Sequence, residues 1–476
     1  MKIIHPHPYR PIYNYSEKNV IIELRAQDFS MNKFVDNGIE ILFEHCYFDK
    51  LKIRSLEELG FPKVSISFVA CCINEIQVDD LIPDMIDLGF YGSFISGKIK
   101  GSSLKAVEFN NCLLSHGLYL IDVPKIRITF TKENIKLYRW KKMFKPIKNF
   151  STSSLFQNKQ SYVISNPSKL EVTSNFVKAK KIKLNLNLSI QFNASSNDIQ
   201  TIISNCQLDA LSIQGSSSGQ VDVENTDINK LYLYNFSPRT DVSFYAIKPL
   251  PEAADGKIGI HKCNLDNAWF NNVSFDKYKV ISLFRSKFSK TLFTSCDFPE
   301  SYTAFENFLP IENVHYPENR TKNDPKNLYE ILLQLKKSMD STGNYYEAQK
   351  IQSIAHNALH KISGIGRSDR FILWVNKQSN HHGLSIKRPF ILLLCSSITL
   401  YILYLLSIGR IFTSMPIDWN LIGYYFSFLD ITHRTDFLVD KELLTWAPLT
   451  IDYFTKVIVG FFIYQLIASF RKYGKK

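Results

Sequence analysis

A mainly β fold is predicted for this 476-residue chain: a β-solenoid, followed by an α-helical hairpin and two transmembrane helices. Three observations carry that prediction. Large apolar residues recur at every fifth position through much of the first 300 residues, apolar residues switch to helical spacing after Asp324, and the stretch from Phe390 to Ile408 holds no charge. The composition agrees, since 45% apolar residues offer the surface needed to offset chain entropy and exclude a disordered chain. The length leaves room for two or three domains, each with its own core.

The five-residue beat is clearest from Gly92, where the third positions are Phe94, Ile99, Leu104, Phe109, Leu114 and Tyr119. The first positions are Gly92, Gly97, Ser102, Val107, Cys112 and Gly117, all small or apolar, and the remaining positions are mostly polar. This is neither the 3.6 period of a helix nor the 2.0 period of an ordinary strand. The beat returns from Thr201, with Ile203, Leu208, Ile213, Val223, Ile228 and Leu233 in the third position and Ser218 as the one polar break. It returns once more from Cys263 to Phe298 with a single slip of phase, and short pieces precede it at Cys46 to Ile53 and Cys71 to Val78. Six of the eight cysteines (46, 71, 112, 206, 263 and 296) occupy the small-residue position, where cysteine acts as a compact buried hydrophobe. No C-x-x-C pair or metal spacing is present, so no zinc site, other metal site or cofactor is expected.

A large apolar centre with a small residue two positions before it resembles the pentapeptide-repeat family. The resemblance implies a right-handed, four-sided β-helix with twenty residues per coil, and the spacings Gly92 to Cys112 and Cys206 to Thr226 are both twenty. In such a solenoid the inward residues of one coil stack on those of the next. The Asn pairs 110–111 and 271–272 suit the corners. The chain departs from the family in rarely having Ala first and Asp or Asn second.

Residues 122–200 break the beat and read as a basic insertion. Lys132 to Lys148 places seven bases, including Lys136, Arg139, Lys141, Lys142 and Lys145, among Tyr138, Trp140 and Phe144. Such a pattern can lie on anionic lipid, bind nucleic acid, or be a solvated loop. From Ile182 to Phe192 every second residue is apolar, which predicts a strand at an edge or hairpin of the solenoid. Residues 236–257, with Pro238, Pro249 and Pro251, read as a loop excursion between coils.

Four domains are predicted: the degenerate solenoid over 1–300, a helical hairpin over 301–365, a basic linker over 366–389, and a transmembrane hairpin over 390–476 with an outer loop at 413–445. In the helical hairpin, Leu328, Ile331, Leu332, Leu335 and Met339 keep helical spacing, Gly343-Asn344 interrupts it, and Tyr346 to Leu359 resume it. The phrase resembles one TPR-like pair, which serves as a cap or a neck, since a single pair is no array. The first span follows Lys387, Arg388 and Pro389, and its 19 uncharged residues approach the ~20 that a bilayer requires. The second runs from Trp446 to Phe470 and carries Asp452 and Lys456 on one face. Residues 361–388 hold six bases and one acid, whereas 413–445 hold five acids and two bases. Positive-inside then places both termini in the cytoplasm and the loop outside. Met1 to Ile12 contains no apolar signal-like region.

No catalytic motif is found, so no enzyme is expected. His381-His382 reads as an exposed linker pair and not as a metal site. The order of segments resembles membrane-bound pentapeptide-repeat proteins of bacteria that end in a two-helix, ion-channel-like domain. Tyr424 to Phe428 look like the descending helix of a re-entrant segment, but the glycines of a potassium filter are replaced by Asp430, His433, Arg434 and Asp436. Two functional classes follow. In one, the solenoid is a docking or sensing module for a protein partner and the hairpin anchors it. In the other, the hairpin forms a homo-oligomeric pore, with Asp430, His433, Asp436, Asp452 and Lys456 as its candidate residues. DNA mimicry needs an acidic face, and the net charge of +13 opposes it. That charge is local: 132–148, 178–183, 361–388 and 471–476 together carry +19, which leaves −6 on the rest. The bilayer is therefore the expected anionic partner, and nucleic acid is not.

Overall fold

The computed structural model describes residues 2–6, 10–24, 39–55, 64–78, 86–101, 104–130, 160–174, 186–193, 199–251, 256–299, 324–411, 419–440 and 444–470. The chain divides into two units, Met1–Glu318 and Asn319–Lys476.

The first unit is a parallel β-solenoid. Its strands alternate between two 12-stranded sheets: β1 (Lys2–Ile4), β3 (Ser16–Leu24) and the odd strands onward to β23 (Val280–Phe284) form one, and β2 (Ile12–Tyr13) and the even strands onward to β24 (Leu292–Thr294) form the other. Every pairing is parallel and joins strands one coil apart. Backbone donors and acceptors of each coil are thus satisfied by its neighbours.

The core follows from register. In the even-numbered sheet one inward column runs Phe43, Phe68, Phe90, Phe109, Ile128, Val172, Ile203, Val223, Phe244, Phe270, Phe293. Phe43, Phe68, Phe90 and Phe109 stack at 5.1–5.2 Å between ring centroids, and Phe244, Phe270 and Phe293 at 4.8 and 5.3 Å. The opposite sheet supplies an aliphatic column that includes Ile99, Leu120, Ile164, Ile190, Ile213 and Leu233. All of these side chains are buried. Truncating a ring such as Phe90, which is stacked on both sides, would cost about 3–5 kcal/mol.

The corners explain the small-residue position. At corners of both kinds, after even strands and after odd ones, a single residue takes a left-handed conformation. Among the described residues of the solenoid, fourteen non-glycine residues do so, with φ from +46° to +55°, and seven of them are asparagine, the side chain that best tolerates this region. Asn111 and Asn272 are among them, as the corner reading of the Asn pairs expects. The corner N–H continues the ladder, as in Asn205 N donating to Glu224 O (3.0 Å) and Asn225 N to Tyr245 O (2.9 Å).

The residue after the corner points inward and is mostly small, with Phe236 and Ile247 as larger exceptions. Cysteine here is also a donor: Cys112 Sγ lies 3.1 Å from Phe90 O of the preceding coil, and Cys296 Sγ lies 3.3 Å from Phe270 O. Ser93 and Ser286 make the same contact with their hydroxyls, to Phe68 O (2.9 Å) and Ile260 O (3.0 Å). The cysteines are therefore interchangeable with serine in geometry, and burial pushes the Cys112 and Cys263 thiols up to about 12 and Cys296 to about 11. Such thiols carry little thiolate at neutral pH. A second corner bends the long odd strands: β17 (Gln207–Gly215) and β19 (Asp227–Tyr234) turn at Asp209 and Asn229, joined by Asn229 Nδ2 donating to Asp209 Oδ1 at 3.2 Å. Gly215 (φ +94°) leaves its strand where a Cβ would fall 1.8 Å from Phe192 O.

Three local expectations are corrected. The described parts of 122–200 belong to the solenoid: β12 (Lys125–Phe130), β13 (Gln160–Ser165), β14 (Lys169–Ser174) and β15 (Leu186–Phe192) continue both sheets. The alternating segment ending at Phe192 is no edge, since β15 lies between β13 and β17. Its sides are buried by sheet neighbours in both directions, and the alternation reflects its inward face. The proline-rich stretch 236–257 holds a further rung, β20 (Val242–Tyr245).

The second unit is helical. α1 (Asp324–Ser341) and α2 (Tyr345–His360) form the expected hairpin around Gly343 (φ +80°), with Asn344 capping α2 by accepting from Glu347 N at 3.3 Å. The segment expected to be a linker is largely a helix, α3 (Arg367–Asn380). α4 (Lys387–Ser407) and α6 (Trp446–Phe470) are long and apolar enough to span a bilayer and pack on each other, with α5 (Asn420–Leu429) against them. Many apolar side chains of α4 and α6, among them Ile391, Ile402, Phe454 and Ile467, are exposed, as candidate membrane spans require.

One prediction concerns the corners. In the full chain, Asn205→Val should lower the unfolding midpoint, at a cost of roughly 1–2 kcal/mol for a branched residue in the left-handed region. Asn205→Gly should leave the midpoint nearly unchanged. Equal effects of the two in thermal unfolding would contradict the corner assignment.

A candidate functional site between the spans

The face that α4 turns inward is polar and aromatic. Ser397, Tyr401 and Tyr404 recur at helical spacing and are buried. Ser397 Oγ shares a hydrogen bond with Tyr425 Oη (2.8 Å), and Tyr401 Oη donates to Leu421 O (2.7 Å). These bonds hold α5 to α4. Tyr401, Tyr404, Phe428 and Leu405 form one cluster, on which Phe437 also packs. The helix expected around Tyr424 to Phe428 is therefore present, as part of α5, and it lies against the first span.

Beyond α5 the chain turns back on itself. Asp430 Oδ1 accepts from Thr432 N (2.9 Å) and Thr432 Oγ1 (2.7 Å), which holds this exposed carboxyl below its usual range. The turn points His433 inward. Its Nδ1 meets Asp430 O and its Nε2 meets Asp452 Oδ1 at 2.6 Å. Both ring nitrogens are thus held by acceptors. Lys456, one turn after Asp452, places Nζ 3.3 Å from Asp452 Oδ2 and donates to His433 O at 2.8 Å. Asp452 is 1% exposed and His433 side chain 5%. The structure thus joins Asp430, His433, Asp452 and Lys456 in one cluster. Asp436 stands apart, paired with the exposed Arg434 at 3.2 Å. The basic residues Lys136, Arg139, Lys141, Lys142 and Lys145 lie outside the described residues.

A second polar joint sits at the other end of α6. His381 and His382 both take left-handed conformations (φ +54° and +56°) after α3. The expectation of an exposed pair fails here, because His382 is 6% exposed. Its carbonyl accepts from Gln349 Nε2 of α2 (2.9 Å), and its ring lies 5.0 Å from that of His356. On the far side of the turn, Gln465 in α6 bonds Asn380 Nδ2 and donates to Asn376 Oδ1 (3.1 Å), and Ser469 Oγ donates to Ser385 O (3.0 Å). Counting charges passes over Gln465 and Ser469, although a lone amide within an apolar span was a readable signal. Among the described residues no cluster of three or more His, Cys, Asp or Glu suits a metal.

In comparison with known proteins, no family model, no curated protein and no solved structure matches this chain. The likeness to pentapeptide-repeat proteins therefore stands on the five-residue beat and on the parallel solenoid, and the architecture fits a membrane-anchored repeat protein.

Two predictions follow from these geometries. Asp452→Ala leaves two buried cationic or polar partners without their acceptor and should destabilise the helical unit by about 3–5 kcal/mol. Replacing both Asp452 and Lys456 by leucine and methionine should recover part of that loss, as read by thermal unfolding in detergent. Burial, with His356, His381 and Lys377 nearby, lowers His382 to about 4, and burial also lowers His356. These rings are neutral in the folded state, so their contribution is complete above the ordinary value of about 6.5. It is lost as pH falls from there toward 4. The unfolding midpoint of the full chain should drop across that window, and His382→Asn, which keeps the turn, should flatten the profile.

Proposed function

We propose that this is a non-enzymatic, two-pass inner-membrane protein whose cytoplasmic solenoid recognises a protein partner, with the α4–α6 hairpin as its anchor. The observation that carries this reading is the closure of the charge cluster within one chain. Asp452, the buried carboxylate of the second span, is met by His433 and Lys456 of the same molecule. A buried ion pair with internal partners fixes the loop on the helix. The space beside it is filled by Tyr401, Tyr404, Phe428 and Phe437.

The solenoid offers a surface suited to recognition. Trp269 and Leu292 are paired outward positions on adjacent coils, 43% and 48% exposed, and Tyr245 lies on the coil before them. Trp269 Nε1 donates to Thr294 Oγ1 at 2.7 Å, which fixes the ring orientation. Repeat surfaces bind partners by shape across several coils, and exposed aromatic anchors favour such contacts. The excess of bases over acids at 361–388 and of acids over bases at 413–445 supports cytoplasmic termini.

A second reading is favoured by α5. A helix between two spans resembles the re-entrant segment of ion-channel-like domains, and a homo-oligomer of such hairpins could enclose a pore. Liposome flux separates the two. The anchor reading expects purified full-length protein to cause no ion leak, and Lys456→Ala likewise. A leak from the wild type that Lys456→Ala changes would establish the pore.

A further inference from the structure

α3 has two unlike faces. Asn376 and Asn380 point to α6 and are hydrogen-bonded to Gln465. The opposite face follows the spacing 367, 371, 374, 378 and carries Phe371 and Trp374, 62% and 51% exposed, with ring centroids 6.0 Å apart. Exposed bases accompany this stripe: Arg367 at its N-terminal end, Arg370 and Lys377 beside it on α3, and Lys387 and Arg388 where α4 begins. A soluble helix would not leave a Phe–Trp stripe uncovered, and among the described residues it stays exposed.

The depth of α3 is set by its partner. Gln465 lies five residues before the end of α6, and at ~1.5 Å per residue this is roughly 7 Å inside the span's end. That matches the ~5–10 Å to which interfacial amphipathic helices bury their apolar faces. We propose that α3 is an in-plane membrane helix: Phe371 and Trp374 enter the boundary between headgroups and acyl chains, and Arg367, Arg370 and Lys377 bind the phosphates of anionic phospholipids. The proposal rests on the anchor reading and adds a lipid class to it. α3 is also tied to α2 through the His382 turn, so lipid contact at α3 bears directly on how firmly the helical hairpin is held.

The test uses the full chain in lipid nanodiscs. Tryptophan emission of wild type minus that of Trp374→Phe isolates the signal of Trp374. Lipids brominated near the headgroup should quench it more than lipids brominated near the chain ends. Adding phosphatidylglycerol to phosphatidylcholine should shift it to the blue and increase the quenching, and the combined Arg367→Gln, Arg370→Gln, Lys377→Gln variant should lose that increase. If the Trp374 signal escapes quenching while the remaining tryptophans are quenched, α3 is not in the interface and the proposal fails, but the anchor stands. If quenching ignores phosphatidylglycerol and the three charges, the recognition of anionic lipid is overturned. If no tryptophan is quenched, the anchor reading falls as well.

Discussion

Everything in the solenoid depends on one repeated corner. A chain that is to stack coils in parallel must reverse direction several times per coil without interrupting its hydrogen-bond ladder. It does so here by placing a single residue in the left-handed region and a small inward residue directly after it. The corner N–H still reaches the next coil, and the small residue caps a carbonyl of the previous one. With corners fixed in this way, register follows, and with register the phenylalanines must fall on one another in a column. The aromatic stack is a consequence of the corner, and it returns the dispersion energy that the stacked coils require.

This also explains why part of the fold was legible in the sequence and part was not. The five-residue beat records the corner-to-corner distance, so coils of near-minimal length, such as those around Phe94 to Leu114 and Ile203 to Leu233, are visible directly. Where a corner carries extra chain the beat is lost although the rung survives. β12 and β14 pair in register across a separation of 44 residues, Ile128 with Val172, and no fixed period could have joined them. The same holds for β20, whose strand is only four residues long and is flanked by prolines. Sequence spacing marks cysteine as a small hydrophobe, and the serines at the same position make the same hydrogen bond to a carbonyl of the preceding coil.

In the helical unit, the i,i+4 relation of Asp452 and Lys456 is written in the chain, but their third partner is not. His433 reaches them only because Asp430 and Thr432 form a turn that directs it back into the hairpin. The joint around His382 is not legible locally, because sequence marks 381–385 as a polar turn, whereas its burial comes from α2 on one side and from Gln465 and Ser469 of α6 on the other. Both sites tie distant segments together, so their signal lies in tertiary contacts and not in composition.

These joints make the helical unit continuous: α2 holds the His382 turn, the turn holds the C-terminal end of α6, and its N-terminal half holds the loop through His433. Among the described residues, Asp452 and Lys456, the charges within the candidate second span, have their partners in the same molecule. The account therefore describes an anchor complete as a single copy. The most direct test is the molar mass of the purified full-length protein in detergent, corrected for bound detergent by multi-angle light scattering. The account predicts a monomer at the 55.0 kDa of the chain. A stable trimer or tetramer that persists on dilution would contradict it, because the hairpin would then be one part of an assembled membrane structure.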